Sequence, residues 1–212
     1  MRIAVFGATG GTGLQLLEQA LAANHHVTAI VRTPAKIKMT HENLKVVTGD
    51  VFNTESIEGA LADQDTVFSC LGFKPEKPAV TGYINATKSI VAAMKKNGLK
   101  RLVLCHSWYT DPESRGEAIF LIRWFLLPMI RTVLDNMRET ELWLETECAD
   151  IDYTVVRPGG LTNGQLTDTE IKHIEGPHVK GSSRITRADV ARFMLNTAST
   201  QEFIKKQVAI GY

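Results

Sequence analysis

Seven residues near the start, Gly7-Ala8-Thr9-Gly10-Gly11-Thr12-Gly13, constrain this chain more than any other segment. They follow a short apolar run, Arg2 to Phe6, that reads as a strand, and they precede Leu14, Leu16 and Leu17, which open an amphipathic helix. Glycines at 7, 10 and 13 let a strand turn sharply into a helix, let the backbone approach a bound group, and let helix and strand pack closely. The N–H groups of the helix's first turn are then free to bind an anion. Strand, glycine turn and helix in that order are what the pyrophosphate site of a dinucleotide requires.

The rest of the chain repeats the strand-helix alternation. Apolar, β-branched runs at 2–6, 26–31, 44–48, 66–70, 101–105, 153–156 and 207–210 read as strands, and helical patterns fill 13–23, 54–62, 82–97, 131–149 and 188–197. Short apolar strands joined by helix-length connections predict a doubly wound, parallel α/β sheet of the Rossmann type. With 212 residues the chain has room for one such domain and none for a separate substrate domain. Segments 108–129 and 161–184 are left to build a substrate side. Asn97-Gly98 offers a left-handed helix stop, and Asp189 suits the positive end of the 188–197 helix. Pro128 is expected to end one helix near Phe125 and start another, because it disfavours a helical Leu127.

Charge and cysteine usage narrow the class. Lys plus Arg (24) nearly cancels Asp plus Glu (23), so no overall field draws the chain to nucleic acid or anionic lipid, and an anionic ligand needs a local site. Cys70, Cys105 and Cys148 have no paired spacing and suit a reducing compartment. The N-terminal apolar run is too short for a signal peptide, and the greasy stretch 118–130 is interrupted by Arg123 and Pro128. A cytoplasmic protein, monomeric or homodimeric, is expected. No metal motif is present: His173, Glu175 and His178 share a loop without a fourth ligand. His25, His26 and His41 read as surface residues, and His106 as alternating to the far side of its strand from Ser107.

The end of the second strand separates the two dinucleotides. An Asp or Glu there accepts hydrogen bonds from a ribose 2′-OH; this chain has Val31-Arg32-Thr33-Pro34-Ala35-Lys36 and no acid. Arg32 can bind a 2′-phosphate bidentately and Lys36 adds a second positive charge, so NADP(H) is expected.

Together with Gly49-Asp50-Val51, Leu71-Gly72, Ser107 and Arg157-Pro158-Gly159-Gly160-Leu161-Thr162, these motifs resemble the atypical short-chain dehydrogenases/reductases of the NAD(P)H-binding, biliverdin-IXβ reductase/flavin reductase type. The resemblance covers essentially the whole chain. It implies that Gly7, Thr9, Gly10, Gly11, Thr12 and Gly13 hold the pyrophosphate, with Arg32, Thr33 and Lys36 on the 2′-phosphate. It also implies that Asp50 and Val51 lie by the adenine, that Leu71, Gly72 and Lys74 follow the ribose and phosphate, and that Pro158, Gly159, Gly160 and Leu161 pass the nicotinamide. Ser107 emerges at the carboxyl edge of the sheet, where ligands bind. Biliverdin-IXβ reductases carry Pro-Pro-His where this chain has Pro158-Gly159-Gly160.

The wider group's Tyr-x-x-x-Lys pair is absent: Tyr83, Tyr109 and Tyr153 are followed four positions later by Thr87, Glu113 and Arg157. Hydride transfer to a flat conjugated acceptor asks less of the protein than carbonyl chemistry. The sequence therefore points to an NADPH-dependent reductase of a flavin, quinone-like or tetrapyrrole acceptor, with Ser107 and Tyr109 as candidate catalytic residues. Trp108, Trp124 and Phe125 are the expected acceptor walls. A competing reading is an NADP(H)-sensing regulator of the same fold that performs no catalysis. Apolar residues at helical spacing within 108–129 also suit a core or a subunit contact.

Overall fold

The structure is a computed structural model and describes residues 1–76 and 79–212. Strand β1 (Arg2–Phe6) turns through the glycine loop into helix α1 (Gly11–Ala22), followed by β2 (His26–Val31) and β3 (Leu44–Thr48). Then come α2 (Thr54–Glu58), β4 (Thr66–Ser69), α3 (Gly82–Lys96), β5 (Arg101–Cys105), α4 (Pro112–Glu117) and the long α5 (Leu127–Glu147). The last part holds β6 (Asp152–Pro158), β7 (Gly160–Thr162), β8 (Lys172–Ile174), β9 (Arg184–Thr186), α6 (Arg187–Ala198) and β10 (Lys206–Gly211).

The main sheet has the order β3-β2-β1-β4-β5-β6-β10-β8 and is parallel except for β8, which runs against β10 at the edge. This is the doubly wound, Rossmann-type sheet expected from the alternation. Alternating side chains explain why both faces are covered. Ile3 and Val5 of β1 face α1 and α6, whereas Ala4 and Phe6 face the side of α2, α3 and α5. Phe6 is in register with Ile30 and Ser69, so the loops leaving β1, β2 and β4 emerge level with one another. The order reverses between β1 and β4, where an open α/β sheet forms its binding crevice.

Three local differences have physical causes. The helix at 54–62 is one α-helical turn, Thr54–Glu58, that tightens into a 3₁₀ turn, Gly59–Leu61. Three short strands, β7, β8 and β9, fall in 160–186, where no period long enough to show in sequence exists. Pro128 does not break the helix before α5. The chain passes from a π-helical turn, Ile122–Leu126, straight into α5, with Leu127 helical at φ −60° and ψ −41°. The Leu127 N–H reaches back to Ile122 O, five residues earlier, and this widened register leaves a place for a residue without an N–H.

Segment 108–129, expected to work as a unit, divides. Trp108 is 3% exposed and packs with Val179 and Ala209 against Gly159 and Gly211. Trp124 and Phe125 are 62% and 65% exposed.

The C-terminal strand is tied to α6 by a compact polar cluster. Thr186 caps α6: its hydroxyl accepts the Asp189 N–H at 3.0 Å and donates to the Asp189 carboxylate at 2.7 Å. The Tyr212 hydroxyl donates to the same carboxylate at 2.6 Å and accepts the Thr186 N–H at 3.1 Å. Burial alone would raise the Asp189 pKa, but these donors hold it below the usual carboxylate range. Tyr212→Phe removes a hydrogen bond to a charged group and leaves the Thr186 N–H unpaired. The expected cost is about 2 kcal/mol of stability in urea unfolding.

Candidate active site

Gly7, the first residue past β1, sits at φ +74°, and a Cβ there would lie 2.3 Å from Cys70 O. A Cβ on Gly13 would lie 2.2 Å from Gly7 O. Both positions must therefore be glycine, and the result is a backbone cradle pressed against the end of β4. The first turn of α1 carries no acid, and its cap residue Gly10 offers no side chain. Its N–H groups are thus left for an external anion.

The cradle forms one wall of a cleft of about 470 Å³ along the carboxyl ends of β1, β2, β4 and β5. From β2 to β5 is three strand spacings, about 14 Å, room for an extended dinucleotide rather than a mononucleotide. Arg32, Lys36 and Arg187 line the cleft, and among the described residues no Asp or Glu does. A chain of nearly zero net charge has gathered an unopposed positive wall at one place, which fits a polyphosphate.

Of the residues singled out from sequence, the cleft brings together Gly7, Thr9, Gly10, Gly11, Thr12, Arg32, Thr33, Lys36, Val51, Leu71, Gly72 and Leu161. Gly13 packs behind the cradle. Asp50 is not on the lining: its carboxylate accepts the Phe52 N–H at 3.0 Å in a local turn, and its own N–H donates to Ser56 Oγ. Lys74, Pro158, Gly159 and Gly160 also stand off it. Ser107 Oγ accepts the Tyr109 N–H at 3.3 Å, capping a 3₁₀ turn at Trp108–Thr110. Tyr109, Trp108, Trp124 and Phe125 do not line the cleft. Its lining adds Tyr83, Cys70, Cys105, His106, Met137 and Arg187, none of which the sequence reading placed there. Burial pushes both thiols up, Cys105 to about 12, so neither is a thiolate at neutral pH.

The model of a known family, described as NAD(P)H-binding, matches residues 7–201. The chain belongs to the NAD(P)H-binding family. It is 29% identical over 90% of its length to an uncharacterized chloroplastic protein of Arabidopsis thaliana, and 24% identical over 76% to the oxidoreductase stcQ of Emericella nidulans. The matches span 70% and 66% of those relatives' own lengths. Among solved structures, ChuY, an anaerobilin reductase from Escherichia coli O157:H7, shares the fold with a TM-score of 0.81 at 23% identity. That match covers 99% of this chain and 96% of the ChuY chain.

The end of the NAD(P)H cleft farthest from Arg32 is built on a buried ion cluster. Leu102 and Leu104 of β5, and Tyr153 and Val155 of β6, face α5; the same alternation turns His106 and Arg157 toward that helix. Between them, on the apolar side of α5, stands Glu141, 0% exposed. Its carboxylate accepts from His106 Nδ1 at 3.0 Å, from Arg157 Nε at 3.2 Å and from a second Arg157 nitrogen. Arg138 approaches to 3.5 Å. Burial by itself would raise the Glu141 pKa. The hydrogen bond and charge of His106, then those of Arg157, outweigh burial and hold it at about 2. His106 does alternate away from Ser107, as the strand period predicts. His106 lines the cleft, together with Tyr83 of α3 and Met137 of α5, and Ser107 does not.

A carboxyl depressed in the folded state contributes stability that is full above its ordinary value of 4.5 and is lost as pH falls toward 2. The wild-type chain should therefore lose stability steeply between pH 4.5 and 2. Glu141→Gln, which leaves Arg157 buried without its anion, is expected to cost about 3–5 kcal/mol at pH 7. The same variant should flatten that acid limb, read by urea titrations at stepped pH.

Proposed function

We propose that this member of the family is an NADPH-dependent reductase passing hydride to a flat acceptor of the flavin, quinone-like or tetrapyrrole kind. The observation that carries the reading is the one-sided charge of the cleft: three cations and no carboxylate among its described lining residues. Arg32 and Lys36 at the end of β2 suit a 2′-phosphate, and no acid stands there to receive a bare ribose hydroxyl. Thr9, Gly10, Gly11 and Thr12 would hold the pyrophosphate on the open end of α1, with the Arg187 side chain lying against Gly11 beside them.

When bound, the reduced dinucleotide supplies two electrons and a hydrogen as hydride. The protein then has to position two flat rings and keep water away from them. Leu71, Tyr83, Met137 and Leu161 furnish apolar surface at the far end of the cleft. A tyrosine acid suited to carbonyl chemistry is not assembled there. On α5 Met137 lines the cleft and Glu141, four residues on, is buried behind it, and burial pushes the phenols of Tyr83 and Tyr109 up.

One observation favours a second reading, a dinucleotide-sensing regulator. Seven bulky apolar side chains between Ile119 and Met129 lie on the surface instead of lining the cleft, as a partner-facing strip does. Steady oxidation of NADPH with FMN, riboflavin, biliverdin or a soluble quinone is the result expected for the reductase. Equal, tight binding of NADP⁺ and NADPH with no turnover of any of them favours the regulator.

Arg32→Glu replaces a charge-assisted pair by repulsion. It should weaken NADPH binding by about 2 kcal/mol or more while leaving NADH binding within about twofold, as measured by calorimetry. Unchanged NADPH affinity would mean that the 2′-phosphate is held elsewhere.

A further inference from the structure

We infer that His106 is the proton donor of the reaction, held in its working tautomer by Glu141, and that the cleft is therefore suited to acceptors that must be protonated as they are reduced. The inference rests on the reductase reading and goes beyond it by naming the acid and narrowing the acceptor class.

The geometry leaves His106 one role for each nitrogen. An ionised carboxylate only accepts, so the 3.0 Å contact to Glu141 requires the hydrogen on Nδ1. Nε2 lies on the other side of the ring, the one ring hydrogen bond among the described residues is that of Nδ1, and the residue, though only 6% exposed, lines the cleft. A ring fixed on one side by a buried carboxylate and open on the other to the ligand space has the form of a positioned acid/base. Its orientation is over-determined. The backbone N–H of His106 donates to Val156 O at 2.9 Å, and the Tyr83 ring packs edge-on at 5.8 Å. Glu141 is itself clamped by Arg157, which Asp111 approaches at 3.6 Å and Gln207 also contacts. Glu141 and Arg157 are positioning residues, because neither lines the cleft.

The other donors nearby are poorer. Tyr83 lines the cleft, but burial pushes its phenol up and its oxygen already accepts the Phe73 N–H at 3.2 Å. The buried thiols of Cys70 and Cys105 are pushed up as well. Among these groups, the His106 ring alone has one nitrogen held by a buried carboxylate.

The step balances without another reactant. As hydride and its electron pair reach a quinone or tetrapyrrole, negative charge collects on an oxygen or pyrrolic nitrogen. The donor is the imidazolium, with both nitrogens protonated. Its Nε2–H bond breaks, the proton forms an O–H or N–H bond on the acceptor, the ring is left as the neutral Nδ1–H tautomer held by Glu141, and water returns a proton to Nε2. A cationic phenothiazinium dye such as methylene blue needs no proton, because hydride alone converts it to its neutral reduced form.

The experiment compares wild type and His106→Gln with NADPH and each of two acceptors, a soluble benzoquinone and methylene blue, above the rate without protein. The expected result is a loss of about 100-fold in quinone turnover against a loss of less than about tenfold in dye turnover, so that the ratio of the two rates carries the test. The wild-type quinone rate should also fall as pH rises, and that dependence should vanish in the variant. The groups against the His106 ring are Glu141 from α5 and Tyr83 from α3, with Arg157 behind Glu141, and Cys70, Cys105 and Arg187 share the cleft lining with it.

Equal losses with both acceptors, or no loss with either, overturns the proposal while the reductase reading stands. Wild type inactive on both acceptors and on FMN, riboflavin and biliverdin sinks that reading, and the proposal with it. Nitrogen-15 NMR of the ligand-free wild type provides a readout that needs no turnover and no variant. It should find a permanent proton on Nδ1 of His106, and a bare Nδ1 overturns the assignment.

Discussion

The site depends on a backbone contact that leaves no room for a side chain. Gly7, in the left-handed region, lies against the carbonyl of Cys70 at the end of β4, and Gly13 lies against Gly7 itself. These two approaches set the start of α1 directly over the reversal point between β1 and β4. The open end of the helix and the crevice of the sheet thereby become one feature. Without that closeness the first-turn N–H groups would face water, and the positive wall of Arg32, Lys36 and Arg187 would have no focus. The apolar faces of β1 lock the arrangement from both sides, through Leu16, Leu17 and Val190 on one face and Ile57, Ile90 and Leu102 on the other.

At the far end the organising contact is ionic. Glu141 costs desolvation energy in the core and is retained only because His106 and Arg157 satisfy it. The three come from different elements, so the cluster also pins α5 against β5 and β6. On α5 Met137 faces the cleft and Glu141, four residues on, is buried against the His106 ring at the strand edge. An acid on a sheet edge and its carboxylate on a helix make the same kind of couple as two groups on one helix, with the supporting element exchanged.

Much of this was legible in the residues. Gly7 to Gly13 announced the cradle, because its demands are local: a turn, a close approach and a helix start within seven positions. Arg32 and Lys36 were legible because a strand end is set by its own apolar run. The period of two in β5 also placed His106 correctly on the face opposite Ser107; what that period lacks is which face opens. A lone acid at position 141 among Leu134, Met137 and Leu144 was the one unread signal, since its helical spacing puts it on the buried side of α5. The division of 108–129 was out of reach. Trp108 is buried because Gly159 and Gly211, distant in sequence, leave space for its ring, and nothing within the segment encodes that.

What the sequence determined alone is the alternating α/β order, the dinucleotide cradle and the positive strand end, since each is specified by neighbours within a dozen residues. Only the tertiary structure decided the reacting end: that His106 rather than Ser107 faces the cleft, that Glu141 and Arg157 meet behind it, and that Arg187 closes over the cradle. Those contacts join residues 16 to about 180 positions apart, and their partners are chosen by the packing of helices on the sheet, for which no local pattern of residue types is sufficient.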